Sequence, residues 1–418
     1  MKKSNLPIAV IGLGKTGISI VKYLKKNNKN FIVYDTRKNL EITKEIKKYL
    51  REENLILGIF KKSLIKNHDN FIISPGINLK NSLINEIIIR RKNLQTDIDI
   101  FNDEKRKNVI CVTGSNGKTT VTLILEHILK NLGKKVKAGG NIGLPALELL
   151  EDNYEYNILE LSSFQLEMTK KINSKVSLIT NITPDHLDRH KTFKNYANIK
   201  HKVFKNSENI IINIDDKNIK KEDYKYKFSF GKYKENNNNF SIRTDYGVSY
   251  IYQGEKKLIS EKNIQLIGYH NLLNICASLA VIKSLRLDIK KSIESIKKFE
   301  CIEHRMEKFH KKENVTWIND SKSTNIDSTI SAINSLNNNI ILLLGGKSKT
   351  NNYKKLELAV FNKVDTLILF GESKKLLKKN MKSVKNTIMA RNLDEAVFKA
   401  MKSIETIKKS NQNNINII

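Results

Sequence analysis

The chain has 418 residues, enough for about three domains of ~150 residues with cores of their own, and no apolar run approaches the roughly 20 residues that span a bilayer. A net charge of +32 ordinarily points to nucleic acid or an anionic surface, but the lysines are spread along the whole chain among asparagine and isoleucine, without clusters and interleaved aromatics, so no nucleic-acid partner is expected. Cys111, Cys276 and Cys301 show neither paired nor metal-ligand spacing, which suits a reducing compartment and makes a cytoplasmic enzyme the default.

The N-terminal MKKSNLPIAVIGLGKTG begins like a signal peptide, but its apolar stretch is short and enters a glycine turn without a cleavage-like site, so it reads as a first strand. Residues 6–35 form one unit: a strand, the turn Gly12-Leu13-Gly14-Lys15-Thr16-Gly17, a helix carrying Ile18, Val21 and Leu24, and a strand ending at Asp35. This is G-x-G-x-x-G with an acid about 20 residues on, a dinucleotide-type fingerprint of modest specificity. NFIISPGI (70–77) is another strand ending in a Pro-Gly turn. The first 95 residues therefore read as a small α/β domain.

In NVICVTGSNGKTTV (108–121) an apolar, β-branched run feeds a glycine turn, and Val121, Ile124, Leu125 and Ile128 then recur at helical spacing. The loop Gly114-Ser115-Asn116-Gly117-Lys118-Thr119-Thr120 has the strand–turn–helix context that aims backbone N–H groups and a helix dipole at a phosphate. The outer glycine of the usual G-x-x-x-x-G-K-[ST] loop is missing, with Val112 in its place. Lys118 would face the β/γ-phosphates, and the Thr119 or Thr120 hydroxyl would hold Mg²⁺.

Further on, YNILELSSFQLE ends a strand at Glu160, and VSLITNITPDHLDRH places Asp185, His186 and Asp188 just after another. Ligands of open α/β sheets gather outside the carboxyl ends of strands, so Lys118, Glu160 and His186 are expected around one metal–nucleotide. From about residue 303, VTWINDSKSTN, NIILLLGGKSK and DTLILFGES read as three strands of a last α/β domain, and NNINII looks like the start of one more.

Together these segments resemble the Mur ligases, whose motifs they follow in order from about residue 8 to 372: GLGKTG, DTR, SPGI, TGSNGKTT, GGNIG, ELSSFQLE, NITPDHLDRH, GYHNLLN, HRME, NDSKSTN and LLLGGKSK. The family's loop, T-G-x-N/S-G-K-[ST], does without the outer glycine. The resemblance implies an α/β chain of three domains: a Rossmann-like UDP-sugar domain (1–95), a central P-loop ATPase with a parallel sheet (96–302) and a Rossmann-like amino-acid domain (303–418). It also implies two reaction stages, in which ATP turns a carboxylate into an acyl phosphate and an amine then displaces phosphate.

By the same resemblance, Thr16, Asp35, Thr36, Arg37 and Gly76 contact the UDP-sugar, as do Asn141 and His186. Gly114 to Thr120, Asn271, Arg305 and Asp320 contact ATP. Thr324 and Lys349 lie near D-glutamate, and Lys322 near the transferred phosphate. Two Mg²⁺ ions fall to Thr119, Glu160, His186 and Lys200, the last as a carbamate, with Lys118, His186, Lys200 and Lys322 as the catalytic set. DTR and SSFQLE favour the D-glutamate-adding branch, acting on UDP-N-acetylmuramoyl-L-alanine, over its sister ligases and folylpolyglutamate synthase.

The first-domain fingerprint alone also fits an NAD-dependent oxidoreductase, with Asp35 on a ribose, although such an enzyme has no need of a second, ATP-type loop. The members of the family run past the strand matching INII into a closing loop and a helix. The resemblance therefore implies a C-terminal domain incomplete at Ile418, with weak D-glutamate binding. A monomer is expected.

Overall fold

The computed structural model describes residues 5–41, 43–58, 63–77, 81–232, 236–300, 302–336, 339–347, 352–384, 386–410 and 414–418. The chain gathers into two compact units, one formed by residues up to Phe240 with Ala277–Ser292, the other by Ser241–Cys276 with Ile293–Ile418. Three sheets carry the three-domain α/β architecture.

In the first unit, β1 (Ile8–Ile11), β2 (Phe31–Asp35), β3 (Leu55–Leu57), β4 (Asn70–Ile73) and β5 (Asn93–Gln95) pair in parallel in the order β3-β2-β1-β4-β5. β1 and β4 are buried along their whole length, as strands covered on both faces must be. Ile8 and Val10 enter a core with Ile20, Val21 and Leu24 of the helix Lys15–Lys26, while Ala9 and Ile11 face a second core with Leu83, Ile84 and Ile87 of the helix Ser82–Ile89. The two-residue alternation of a strand produces this split. The order reverses at β1, so the turns after β1 and β4 lie together at the carboxyl edge. There Ser74 N donates to Ile11 O (3.0 Å) and Ser74 Oγ to Gly12 O (2.9 Å).

The second sheet of this unit runs β6 (Val109–Thr113), β7 (Val136–Gly140), β8 (Tyr156–Glu160), β9 (Ser174–Ile179), β10 (Ser207–Asn213) and β11 (Phe228–Gly231), in the spatial order β11-β10-β9-β6-β8-β7 and parallel throughout. β6 is fully buried between β8 and β9, with Val112 opposite Glu160 and Thr113 opposite Ile179. That register brings three strand ends to one place. The helix Lys118–Asn131 buries Val121, Ile124, Leu125 and Ile128, the face its spacing predicts.

β12 (Asn239–Asp245) leads from the first unit into the second, where β13 (Val248–Gln253) and β14 (Lys256–Ser260) form an antiparallel pair. The third sheet contains β15 (Glu307–Lys312), β16 (Val315–Asn319), β17 (Ile340–Leu344), β18 (Val364–Leu369), β19 (Thr387–Met389) and β20 (Ile415–Ile417), ordered β15-β16-β20-β17-β18-β19. Only the β15–β16 pair is antiparallel. β16, β17 and β18 are the three expected strands. INII forms the further strand expected there, three residues long and placed between β16 and β17. Ile415 pairs with Val315 and Ile417 with Ile341, and both isoleucines are buried. Among the described residues no helix is long and apolar enough to cross a membrane.

The turn after β1 depends on a missing side chain. A Cβ on Gly17 would lie 2.0 Å from Gly12 O, whereas one on Gly14 would meet nothing within 4 Å. Gly17→Ala should therefore destabilise the first unit by about 1–3 kcal/mol, and Gly14→Ala by less than ~1 kcal/mol. Urea unfolding of the two variants makes the comparison. Equal midpoints would mean that helix and turn do not pack as described.

Candidate active site

Between β6 and the helix Lys118–Asn131 the chain turns through Gly114, Ser115, Asn116 and Gly117. Gly114 has φ +150° and no room for a Cβ, which would fall 1.8 Å from Thr180 Oγ1; Gly117 is left-handed at φ 82°. Both glycines are conformational requirements. The loop is tied to the end of β9. Ser115 N donates to Asn181 O (2.8 Å), Asn116 N to Asn181 Oδ1 (2.9 Å), and Thr180 Oγ1 and Asn181 Nδ2 both donate to Asn116 O (2.6 and 3.0 Å). Ser115 Oγ donates to Thr183 O (2.9 Å) and lies 2.9 Å from the Tyr196 hydroxyl. No side chain caps the helix that follows, so its first N–H groups and its dipole face the loop. Val112, where the usual loop has glycine, is still strand and pairs with Glu160.

Two lysines converge on one carbonyl. Lys118 Nζ donates to Gly114 O (2.9 Å) and Ser115 O (3.0 Å), and Lys200 Nζ, from the helix Phe193–His201, donates to the same Gly114 O at 2.7 Å. Lys200 is only 2 % exposed. Burial first, and then the charge of Lys118, push its pKa far below the usual lysine range, against the pull of Asp185 and Glu160. Its ammonium lies 4.8 Å from the ring centre of Tyr196, one helical turn earlier.

Glu160, 1 % exposed, accepts from Asn141 Nδ2 at Oε1 (2.8 Å), and its carbonyl accepts from Asn141 N (2.8 Å). Its Oε2 is buried without a hydrogen-bond partner. A carboxylate oxygen left this way is costly unless a cation completes it. Among the described residues no group of three or more His, Cys, Asp or Glu side chains forms a metal cage. A hard cation at this point would therefore draw on Glu160 and on hydroxyl oxygen from the helix start, where Thr119 and Thr120 are both buried.

His186 adopts φ 51°, ψ 34°, a left-handed conformation that costs an L-residue about 1–2 kcal/mol. Its ring packs on Phe164 (4.8 Å between centroids), and its Nε2 lies 3.7 Å from Asp185 Oδ2.

On the first sheet, Thr16 is half-buried in the first turn of its helix, and Thr36, Arg37 and Gly76 are exposed at the same carboxyl edge. Asp35 is engaged from within the protein. Its Oδ1 accepts from Arg37 N (3.0 Å) and Arg37 Nε (2.8 Å), and its Oδ2 from Arg37 Nη2 (2.8 Å) and Leu13 N (2.8 Å). The Arg37 guanidinium, above all, holds the carboxyl at about 2. With four donors on two oxygens, this acid organises the glycine turn and has no lone pair left for a ribose diol.

In the second unit, Asn271 is buried in the helix Tyr269–Ser284. Its Nδ2 donates to Ile267 O (2.8 Å), and its Oδ1 accepts from Asn274 Nδ2 (3.2 Å). Asp320 accepts from Met306 N (3.0 Å) and from the Ser323 hydroxyl, while burial raises its pKa. The charge of Arg305 acts on both Asp320 and His270, whose pKa is pushed down to about 4 chiefly by burial. Lys322 and Thr324 are exposed on the loop after Asp320. Lys349 lies outside the described residues.

Sequence reasoning assigned no role to Tyr196, which touches both the loop and Lys200, nor to Asp185, whose charge faces Lys200. The four-residue spacing of Tyr196 and Lys200 was the available signal.

A parallel sheet ending in a glycine-supported anion loop, with a buried lysine and glutamate at the loop and a second glycine turn on a neighbouring sheet, defines a nucleotide-dependent P-loop enzyme. Residues 112–282 match the profile of the Mur ligase middle domain, 7–94 that of the Mur ligase MurD-like N-terminal domain, and 304–407 that of the Mur ligase glutamate ligase domain. The UDP-N-acetylmuramoylalanine–D-glutamate ligase of Legionella pneumophila (strain Paris) is 33 % identical over 399 residues, 93 % of this chain and 89 % of that protein. The enzyme of the same name from Buchnera aphidicola subsp. Schizaphis graminum is 36 % identical over 410 residues, 95 % and 90 % of the two chains. Among solved structures, the MurF ligase of Thermotoga maritima in complex with ADP superposes with a TM-score of 0.58 at 16 % identity, covering 99 % of this chain and 91 % of that one. The chain belongs to the Mur ligase family. Mur ligases in general use ATP and Mg²⁺.

The Asp35 cluster gives a pH signature. A carboxyl held at about 2 when folded, against about 3.9 when unfolded, stabilises the fold fully above pH ~5 and loses that contribution as pH falls toward 2. Asp35→Asn should thus be less stable than the parent at pH 7, with the gap closing between pH 4 and 2 in urea titrations. A gap independent of pH would exclude the ion pair as its source.

Proposed function

We propose that this chain is an ATP-dependent ligase that joins D-glutamate to UDP-N-acetylmuramoyl-L-alanine in cytoplasmic peptidoglycan precursor synthesis, acting as a monomer. The observation that carries this reading is the meeting of Lys118 and buried Lys200 at Gly114 O, in a chain 33–36 % identical over more than nine-tenths of its length to D-glutamate ligases.

A carboxylate resists attack by an amine until it carries a leaving group. The substrate carboxylate therefore attacks the γ-phosphorus of ATP, an O–P bond forms as the β,γ P–O bond breaks, and ADP departs. The D-glutamate amine then attacks the acyl carbon and phosphate leaves. Bringing a carboxylate against a triphosphate requires preorganised positive charge. The N–H groups of Gly114 to Thr120 cradle the phosphates, and Lys118 turns from the loop carbonyls to the β/γ-phosphates. Thr119, Glu160, His186 and a modified Lys200 would hold Mg²⁺, which when bound would neutralise phosphate charge.

Lys200 suits carbamoylation because burial favours its neutral amine. The nitrogen lone pair adds to CO₂, an N–C bond forms and a proton is lost, so a neutral amine beside Lys118 becomes an anion with hard oxygen donors. Thr16, Thr36, Arg37 and Gly76 receive the UDP-sugar, with Asp35 fixing Arg37. Asn141 sets the Glu160 carboxylate and faces the muramoyl group together with His186. Asn271, Arg305 and Asp320 attend the nucleotide, and Lys322, Thr324 and Lys349 the phosphate and D-glutamate.

Lys118→Ala should lower phosphate release at saturating ATP by at least a hundredfold, about 3 kcal/mol or more, and near-normal turnover would remove the loop from the site. Lys200→Ala should be inactive and partly restored by a short carboxylate, and ¹³C-bicarbonate should give a carbamate carbonyl signal in the parent and none in Lys200→Arg. Full activity of Lys200→Ala would end the carbamate reading. A substrate panel of D-glutamate, L-alanine, L-lysine and a folate acceptor with L-glutamate tests the specificity. Turnover with any pair other than UDP-N-acetylmuramoyl-L-alanine and D-glutamate would reassign the chain to a sister ligase or to folylpolyglutamate synthase.

A further inference from the structure

The loop after His186 holds a charged side chain that the chemistry above leaves without a role. Arg189, in the short helix Leu187–His190, has a side chain only 8 % exposed, and its Nε donates to Glu167 Oε2 at 2.9 Å. The other two nitrogens reach the first sheet. Nη1 donates to Pro75 O and Nη2 to Ile77 O, each at 3.2 Å. These two carbonyls bracket Gly76 in the turn after β4. The guanidinium carbon stands 4.3 Å from the centre of the Phe164 ring, whose centroid is 4.8 Å from that of His186.

Each partner is held in turn. Glu167 lies in the last turn of the helix Ser163–Met168, and its Oε1 lies 3.5 Å from Nδ1 of the fully buried His190, whose Nε2 is 3.0 Å from Ser163 Oγ. Ser162 opens that helix with a capping box. A planar fork with fixed donor directions can serve two diverging carbonyls and a carboxylate at once, while its face stacks on an aromatic ring. A lysine ammonium has neither the planar face to stack on the ring nor the fixed, diverging donors to reach all three acceptors at once. The expected yield of a surface ion pair is far smaller than this arrangement implies.

We infer that Arg189 is a positioning residue that couples the Pro75-Gly76-Ile77 turn to His186, so that a ligand seated on the turn sets the imidazole through one guanidinium and one aromatic ring. This rests on the assignment of the UDP-sugar to the Gly76 turn and of His186 to the reacting end of the substrate. The left-handed backbone of His186 fits such a role, because a strained residue keeps its geometry only where its surroundings enforce it.

The test uses the full chain with Arg189→Lys, Arg189→Met and Phe164→Leu, measuring kcat, KM for UDP-N-acetylmuramoyl-L-alanine, KM for ATP and thermal midpoints. Displacing a positioned group by about 1 Å costs on the order of a hundredfold in rate. Arg189→Lys and Arg189→Met should therefore raise the nucleotide-sugar KM and lower kcat, each by about ten- to a hundredfold, with the ATP KM within about twofold. Phe164→Leu should lower kcat and leave the nucleotide-sugar KM near the parent value. A merely structural arginine would show none of this split: folded variants with parental constants, or Arg189→Lys restoring both constants, would overturn the inference. Arg37→Ala separates the underlying reading. If it too leaves nucleotide-sugar affinity unchanged, the site assignment has failed; if it weakens binding and the Arg189 variants do not, the coupling has failed.

Discussion

The carbonyl of Gly114 is the point on which the site depends. It lies at the end of the most deeply buried strand of the central sheet, and two lysines from different helices donate to it. A glycine is required there because Thr180 occupies the space of a side chain, so the loop and the end of β9 are one packed object. The parallel register places Glu160 opposite Val112, two residues before that carbonyl. Strand pairing places the unsatisfied carboxylate oxygen, and two helices bring backbone N–H groups and cationic nitrogen to the same strand end.

Electrostatics makes this arrangement a poised one. Two ammonium groups on one carbonyl in a buried place repel, and Lys200 answers by favouring its neutral form. The buried, unpartnered Glu160 Oε2 is short of positive charge at the same location. An anionic ligand beside Lys118 and a cation beside Glu160 would relieve both imbalances. Function is written here as unsatisfied charge that the fold holds in place.

The first sheet solves a different problem with similar parts. Its glycine turn is also pressed against a neighbouring turn, through Ser74, yet its acidic residue faces inward and is saturated by Arg37 and Leu13. A dinucleotide-type fingerprint therefore does not determine what the acid does. Its neighbour two residues on bears on it, because Arg37 braces that carboxylate from within the chain.

What the sequence by itself determined is what short-range physics controls. The strand–glycine–helix units at 8–26 and 109–131, the burial of Val121, Ile124, Leu125 and Ile128, and the strands at 315–319, 340–344 and 364–369 all follow from apolar periodicity and turn residues. The ordered motifs then carried the family. Tertiary structure decided the rest. Glu307–Lys312 is rich in charge and becomes a strand only because Val315–Asn319 offers it an antiparallel edge, and three residues at 415–417 fill the middle of a sheet whose other strands come from far earlier in the chain. In a lysine-rich sequence nothing local marks Lys200 as the buried one, and the carbonyl partners of Arg189 lie more than a hundred residues away. Burial and long-range pairing depend on which surfaces the chain folds against each other, and no window of neighbouring residues contains that information.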